Sequence, residues 1–312
     1  NKSFEMKLMA NGDVGVSVCV LVGVVLLCEA SRRLLKKSAL FAETALEVYA
    51  VEFVSTLQLC CCTHELKLLA EVGRVEPRLS LTLTYLACVV HGLTFGGALG
   101  NACGALERAC SKRIAGRCAL QRVACQFAAA CVARAVVPQV WGLGLSDLHL
   151  RHKLLGFRCI SQIRATLPHT AAVEFAGAFC VHTVISRTQA VEEKYRVHLI
   201  SVVVTTLVYA GGSVSGAVFN PSLAFSTQFP CSGNSFLEYS LVYWAGPLLG
   251  KQADTTATPH LTFSCQVTRL TPLLKLSSCL ATLKRCDVDQ PLTSRFKIDP
   301  LVTSHMGVSN QM

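Results

Sequence analysis

Charge is scarce in this sequence: Asp, Glu, Lys and Arg make up 15% of its 312 residues, where a soluble domain carries about a quarter. That scarcity excludes an ordinary water-soluble globular domain. Aromatic residues are also few, at 7% with 2 Trp. No stripe of basic residues interleaved with aromatics runs along the chain, so the net charge of +10 does not read as a nucleic-acid footprint, and no nucleic-acid partner is expected. The 17 cysteines include no C-x-x-C pair, which removes the usual zinc and dithiol frameworks. Many of them, such as Cys19, Cys28, Cys60, Cys61, Cys62, Cys88 and Cys180, lie inside apolar segments, where a free cysteine behaves as a small hydrophobe.

What the chain has is apolar length. Hydrophobic residues make up 52%, and uncharged stretches cover residues 79–99 and 197–218, close to the roughly 20 residues that cross a bilayer. Seven apolar segments can be drawn, at 14–28, 46–62, 79–99, 123–137, 171–185, 197–218 and 236–250. The lipid bilayer is therefore the expected surrounding. Cations cluster after the first segment (Arg32, Arg33, Lys36, Lys37) and after the third (Arg108, Lys112, Arg113, Arg117), and two crossings put both clusters on the cytosolic side. The loop 142–169 falls on the opposite side, although it carries Arg151, Lys153, Arg158 and Arg164. The first segment follows Lys2 and Lys7 and admits a secretory signal, whereas the basic cluster behind it favours a retained anchor. The chain starts at Asn1 with no initiator Met, which reads as an incomplete beginning.

The most informative feature is a duplication. Val51-Glu52-Phe53 recurs as Val173-Glu174-Phe175, and each copy is followed by a run ending in G-A-x-x-N: Gly97 to Asn101 and Gly216 to Asn220. The glutamate precedes the asparagine by 49 residues in the first copy and by 46 in the second. Three spans in each unit make the second enter from the other face, the inverted topology that brings equivalent elements to the midplane.

An ionised carboxylate deep in a bilayer needs donors, and a loop that re-enters the membrane has backbone N–H groups that need acceptors. Glu52 and Glu174 are therefore expected to support two re-entrant loops; solvation near an interface is the alternative. Asn is a strong helix N-cap and Pro suits the first helical position, so Asn220-Pro221-Ser222 reads as the start of a short intramembrane helix. Asn101-Ala102-Cys103 keeps the cap without the Pro. If both short helices meet end to end, their positive dipole ends and the Asn amide donors converge on one point.

At these residues the chain resembles the major intrinsic proteins, the aquaporins, through two N-P-A-type boxes in inverted halves and Glu52-Phe53-Val54-Ser55-Thr56. The deviant boxes resemble the superaquaporin branch, its aquaporin-12 group first and its aquaporin-11 group next. Cys60 to Leu66, Ser146 to Leu150, Cys231-Ser232-Gly233, Val242-Tyr243-Trp244 and Gly246-Pro247-Leu248 carry that likeness across residues 14–250. The resemblance implies an all-α membrane protein: an inverted repeat of two three-helix units with two re-entrant half helices, plus an extra N-terminal transmembrane helix. It implies a channel for water and small neutral solutes such as glycerol or hydrogen peroxide, a homotetramer in intracellular membranes such as the endoplasmic reticulum, and no cofactor. Asn101 and Asn220 would sit at the pore centre, with Val208, Ala217 and Leu223 at the outer constriction. Cys231 matches a cysteine position of that branch, with packing beside the second half helix as the alternative.

Three departures stand out. Ala102 replaces the Pro of the first box, Leu223 replaces the Arg of orthodox water channels, and residues 251–312 match nothing in the family. The expected organisation is an anchor helix and basic loop (1–41), a first repeat (42–141), an inter-repeat loop (142–169), a second repeat (170–250) and an atypical polar, disordered tail (251–312). Gly96, Gly100 and Gly104 at four-residue spacing suggest close helix packing. His149 and His152 with Asp147 lie in a polar loop without a fourth ligand, so no metal is expected. A scaffold with a closed pore and an intramembrane enzyme are the other two readings. The enzyme would need a nucleophile with its base, paired acids or a metal set within the spans, and none is visible.

Overall fold

The computed structural model describes residues 2–38, 45–72 and 75–257. Its elements are α1 (Lys2–Lys37), α2 (Ala45–Val72), α3 (Pro77–Thr94), α4 (Ala102–Cys110), α5 (Gly116–Gly142), α6 (Asp147–Leu154), α7 (Leu167–Arg187), α8 (Glu193–Ser215) and α9 (Pro221–Gln228). A last rod runs through α10 (Phe236–Ser240), a π-helical turn (Leu241–Ala245) and α11 (Gly246–Ala257). No strand forms among the described residues, so the protein is all-α. Among the described residues four helices are long and apolar enough to cross a bilayer: Gly12–Lys37, Leu46–Ala70, Gly116–Gly142 and Glu193–Ser215. With the family relationship given below, the chain is a multi-pass membrane protein.

Proline and glycine set the boundaries that hydropathy blurs. Pro77 and Pro168 lie in the first turns of α3 and α7, where their missing N–H has no intrahelical partner to lose. The apolar run 79–99 divides: α3 stops at Thr94, and Gly96, Gly97 and Gly100 take φ of +59°, +89° and +60°. The four-residue glycine spacing is thus not a helix-packing stripe, because Gly96 and Gly100 bend the re-entrant loop and only Gly104 lies in α4. Likewise the run 197–218 ends its helix at Ser215, where Gly216 at φ +78° closes α8 through its N–H to Gly212 O.

Helix α1 runs antiparallel to α2 and is fastened by buried polar contacts. Ser17 Oγ donates to Glu65 Oε1 at 2.6 Å, and Arg32 Nη2 donates to Gln58 Oε1 at 2.8 Å. Within the first half α2 packs against α5 and within the second α7 packs against α11, while α3 against α8 and α5 against α9 join the halves. The second contact is close because a Cβ on Gly246 would lie 3.1 Å from the Ala171 carbonyl, and one on Gly250 would overlap the Phe175 carbonyl. The core gathers Cys60, Leu69, Ala130, Trp141, Val218, Leu223 and Tyr243.

Two expectations are corrected here. The loop 142–169 is not uniformly polar: it contains α6, whose Leu148 and His149 are fully buried. The last helix does not stop at residue 250 but continues to Ala257 and buries Lys251; no Pro or Gly interrupts it there, and a lysine stem can lie along apolar surface. The rest of the expected tail, 258–312, lies outside the described residues.

Candidate functional site

The two asparagines cap the two short helices. Asn101, in extended backbone conformation, accepts the Cys103 N–H on its Oδ1 at 2.9 Å. Asn220 does the same for the Ser222 N–H at 3.0 Å, with Pro221 as the first residue of α9. Each side-chain amide then crosses to the other half. Asn220 Nδ2 donates to Gly100 O at 2.7 Å, and Asn101 Nδ2 donates to Phe219 O at 3.4 Å. The N-termini of α4 and α9 therefore meet, each held by the residue that precedes the other's cap.

The loops that carry these carbonyls share two left-handed positions. Gly97 and Gly216 have φ of +89° and +78°, and the residues just before the asparagines, Gly100 and Phe219, have φ of +60° and +53°. Glycine adopts this region freely, whereas Phe219 in it is sterically costly. Ala217 is also left-handed, at φ +49°. Contacts to Glu174 and to the opposite asparagine hold Phe219 in place.

Both glutamates are fully buried beneath the loops. Glu52 accepts the N–H of Leu99 at 3.1 Å and of Gly100 at 2.8 Å. It also takes Gln126 Nε2 at 2.7 Å and pairs with Arg122 Nη1 at 3.1 Å. Glu174 accepts the N–H of Val218 at 3.0 Å, that of Phe219 at 2.6 Å and the Ser215 hydroxyl at 2.6 Å. Ser215 Oγ in turn accepts the Ala217 N–H at 3.1 Å. The halves differ in this support: the first carboxylate faces a guanidinium, the second a hydroxyl. Gln126 joins them, because its Oε1 accepts the Ser222 hydroxyl of the opposite short helix at 3.1 Å.

Sequence reasoning missed Arg122, Gln126, Ser215 and Tyr243. Arg122 and Gln126 lie one turn apart within a helix long and apolar enough to span, a signal that could have been used, since such residues rarely face lipid. Tyr243 lies in the π-helical turn, and its hydroxyl donates to Ser215 O at 2.7 Å. Val208 and Ala217 come together in a small cluster with Ala178 and Phe219, while Leu223 is buried in the main core. Ala102 and Cys103 are buried in the first turn of α4. Cys231 is not merely packed beside α9: it forms a disulfide with Cys159. Backbone bonds from Ser161 N to Ser232 O at 2.8 Å and from Ser232 N to Cys159 O at 3.0 Å reinforce that junction.

The arrangement defines a class: an all-α multi-pass membrane protein with two inverted units whose loops fold back to face each other. No family model matches the chain. Over 238 residues it is 38% identical to aquaporin-11 of Equus caballus, covering 76% of this chain and 86% of that protein. The human aquaporin-11 is 37% identical over 238 residues, with the same coverage of 76% and 86%. Aquaporin-12 of Mus musculus is 34% identical over 242 residues, covering 76% of this chain and 83% of the relative. The chain belongs to the aquaporin family, on its superaquaporin branch. It is a membrane channel of that family and not an enzyme.

Proposed function

We propose that the chain passively conducts water and small neutral solutes, glycerol and hydrogen peroxide among them, along their gradients. The observation that carries this reading is the reciprocal bonding of Asn101 and Asn220 across the two loops. An amide group has two N–H donors, and each asparagine spends one on the opposite loop. The second has no protein acceptor among the described residues and can hold a solute oxygen. The positive ends of two helix dipoles converge on the same point, which disfavours cations and protons there. Glu52 and Glu174 keep the loops in register by taking their inward N–H groups. Val208 and Ala217, which pack together, line the outer constriction; with Leu223 turned into the main core and no cation at that position, it favours neutral solutes over strict water selectivity. A homotetramer in intracellular membranes, the endoplasmic reticulum among them, is supported by the family resemblance.

Stopped-flow swelling of proteoliposomes tests the reading, with wild type compared to Asn220→Asp and to empty vesicles. Wild type is expected to swell faster than empty vesicles and Asn220→Asp to lose most of the difference. Wild type equal to empty vesicles would remove conduction and leave a scaffold with a closed pore. Equal permeability in the two proteins would remove the role of Asn220 alone.

A further inference from the structure

Between residues 143 and 173 the chain carries Arg151, Lys153, Arg158 and Arg164 against a single acid, Asp147. This segment lies at the end of the bundle opposite the α1–α2 and α4–α5 connections, where the charge bias of membrane proteins does not put cations. The structure shows what they accompany. Helix α6 is capped by Ser146, whose Oγ accepts the His149 N–H at 3.2 Å, and one of its faces is fixed inward. His149 Nε2 lies 3.0 Å from Glu65 Oε1, and Glu65 also receives Trp141 Nε1 at 2.7 Å and Ser17 Oγ at 2.6 Å. The Leu148 N–H donates to Asp13 Oδ1 at 3.2 Å. Helices α1, α2 and α5 thus decide which way α6 faces.

With Leu148 and His149 inside, the opposite face is forced out. Leu154 is 78% exposed, Leu155 61% and Leu150 45%, and the approach to the helix leaves Leu143 at 70% and Leu145 at 52%. Arg151, Lys153 and Arg158 are exposed among them. Burial beside Trp141, with His149 as a second influence, pushes His152 below the usual imidazole range, so the arginines and the lysine carry the positive charge of this face. Leucines and cations on one exposed face are the pattern of an element lying in a membrane interface.

The neighbouring helix supplies a place for a chain. Gly12, Gly15, Val16, Cys19 and Val20 of α1, closed on one side by Leu145, line an open apolar groove of about 560 Å³. A Cβ at Gly12 or Gly15 would meet nothing, so these glycines are not explained by packing within the protein. Lys153 Nζ donates to Gly142 O at 2.8 Å, which puts its ammonium at the root of the loop that carries Leu145.

We propose that α6 and the adjoining face of α1 bind one anionic phospholipid, its phosphate held by Lys153 with Arg151 adding positive charge from the other flank of α6, and an acyl chain lying along Gly12 to Val20. Charge-assisted bonds suit a phosphate. A soluble polyanion would use the cations but leave the leucines and the groove without a purpose.

The test uses the purified full chain in detergent, titrated with phosphatidylglycerol or phosphatidylcholine of identical acyl chains and read by native mass spectrometry. It does not depend on conduction, so its failure and that of the channel reading are separable. Phosphatidylglycerol is expected to bind in preference by about fivefold or more, the equivalent of one cation near an anionic headgroup. Arg151→Gln with Lys153→Gln is expected to abolish the preference, and Gly15→Leu to lower occupancy by both lipids. All three positions are exposed, so the fold should survive, and circular dichroism checks it. No preference in wild type, a preference unchanged in the Arg151→Gln, Lys153→Gln variant, occupancy unchanged in Gly15→Leu, or full displacement by inorganic phosphate would each overturn the proposal.

Discussion

The side-chain amide of Asn220 donates to the carbonyl of Gly100 at 2.7 Å, and Gly100 immediately precedes Asn101, whose own amide returns the bond to Phe219 O at 3.4 Å. Each re-entrant loop is therefore finished by the other half of the chain. The exchange is unequal: the bond from Asn220 is the shorter, and Asn220 is buried while Asn101 is only partly buried.

That inequality ranks two alanine substitutions. Either one removes a helix cap at a cost of about 1 kcal/mol and a donor from a buried residue's carbonyl, but Asn220→Ala breaks the well-formed 2.7 Å bond, about 1 to 3 kcal/mol more, whereas Asn101→Ala breaks only the long 3.4 Å bond. Thermal unfolding in detergent should show Asn220→Ala less stable than Asn101→Ala; the reverse order would contradict the geometry.

Ala102 occupies the first position of α4, where the N–H has no intrahelical acceptor, and Asn101 has φ −142° and ψ 123°, the extended conformation that a following proline requires. Ala102→Pro should therefore stabilise the protein by about 0.4 to 1 kcal/mol, read as a rise in Tm.

Glu52 faces Arg122 inside the bundle, so removing the carboxylate takes an acceptor from a buried guanidinium, from the Gln126 amide and from two backbone N–H groups. Glu52→Leu is expected to cost about 3 to 5 kcal/mol. The double variant Glu52→Gln, Arg122→Met removes both charges and keeps an acceptor for the loop, and should be clearly more stable than Glu52→Leu in the same unfolding assay.

A Cβ on Gly177 would overlap the ring of Phe219, and Phe219 is held by its N–H to Glu174 and its carbonyl to Asn101. Gly177→Ala should cost about 1 to 3 kcal/mol through overpacking and reduce proteoliposome permeability. Adding Phe219→Leu, which frees space, should restore part of both.

Cys159 and Cys231 close a loop between residues separated by 72 positions. Cys231→Ser, Cys159→Ser and the double variant should lose the same stability, about 2 to 5 kcal/mol. Reductant should lower the Tm of wild type by more than that of the variants, in which Cys118 is still disulfide-bonded.

Much of the architecture is legible in the sequence because it is written in local or repeated patterns. Low charge and long apolar runs point to the bilayer, and the recurrence of Val-Glu-Phe and G-A-x-x-N shows two units. Boundaries were less legible where hydropathy does not change: residues 95–99 are as apolar as the helix before them, and the left-handed glycines alone end it. The two motif fragments around Glu65 and His149 could be quoted from the sequence, yet nothing in either said that they meet.

The sequence by itself determined the environment, the duplication and the two capped boxes, since hydropathy, repetition and capping depend on residues close together along the chain. Only the tertiary structure decided that Glu52 faces Arg122 and Gln126, that Cys159 joins Cys231, that His149 is buried against Glu65, and that the asparagines trade bonds across the loops. Each of these contacts joins positions dozens of residues apart. Buried polar groups need partners, but which partner is near enough is settled by helix packing, and that cannot be read from linear order.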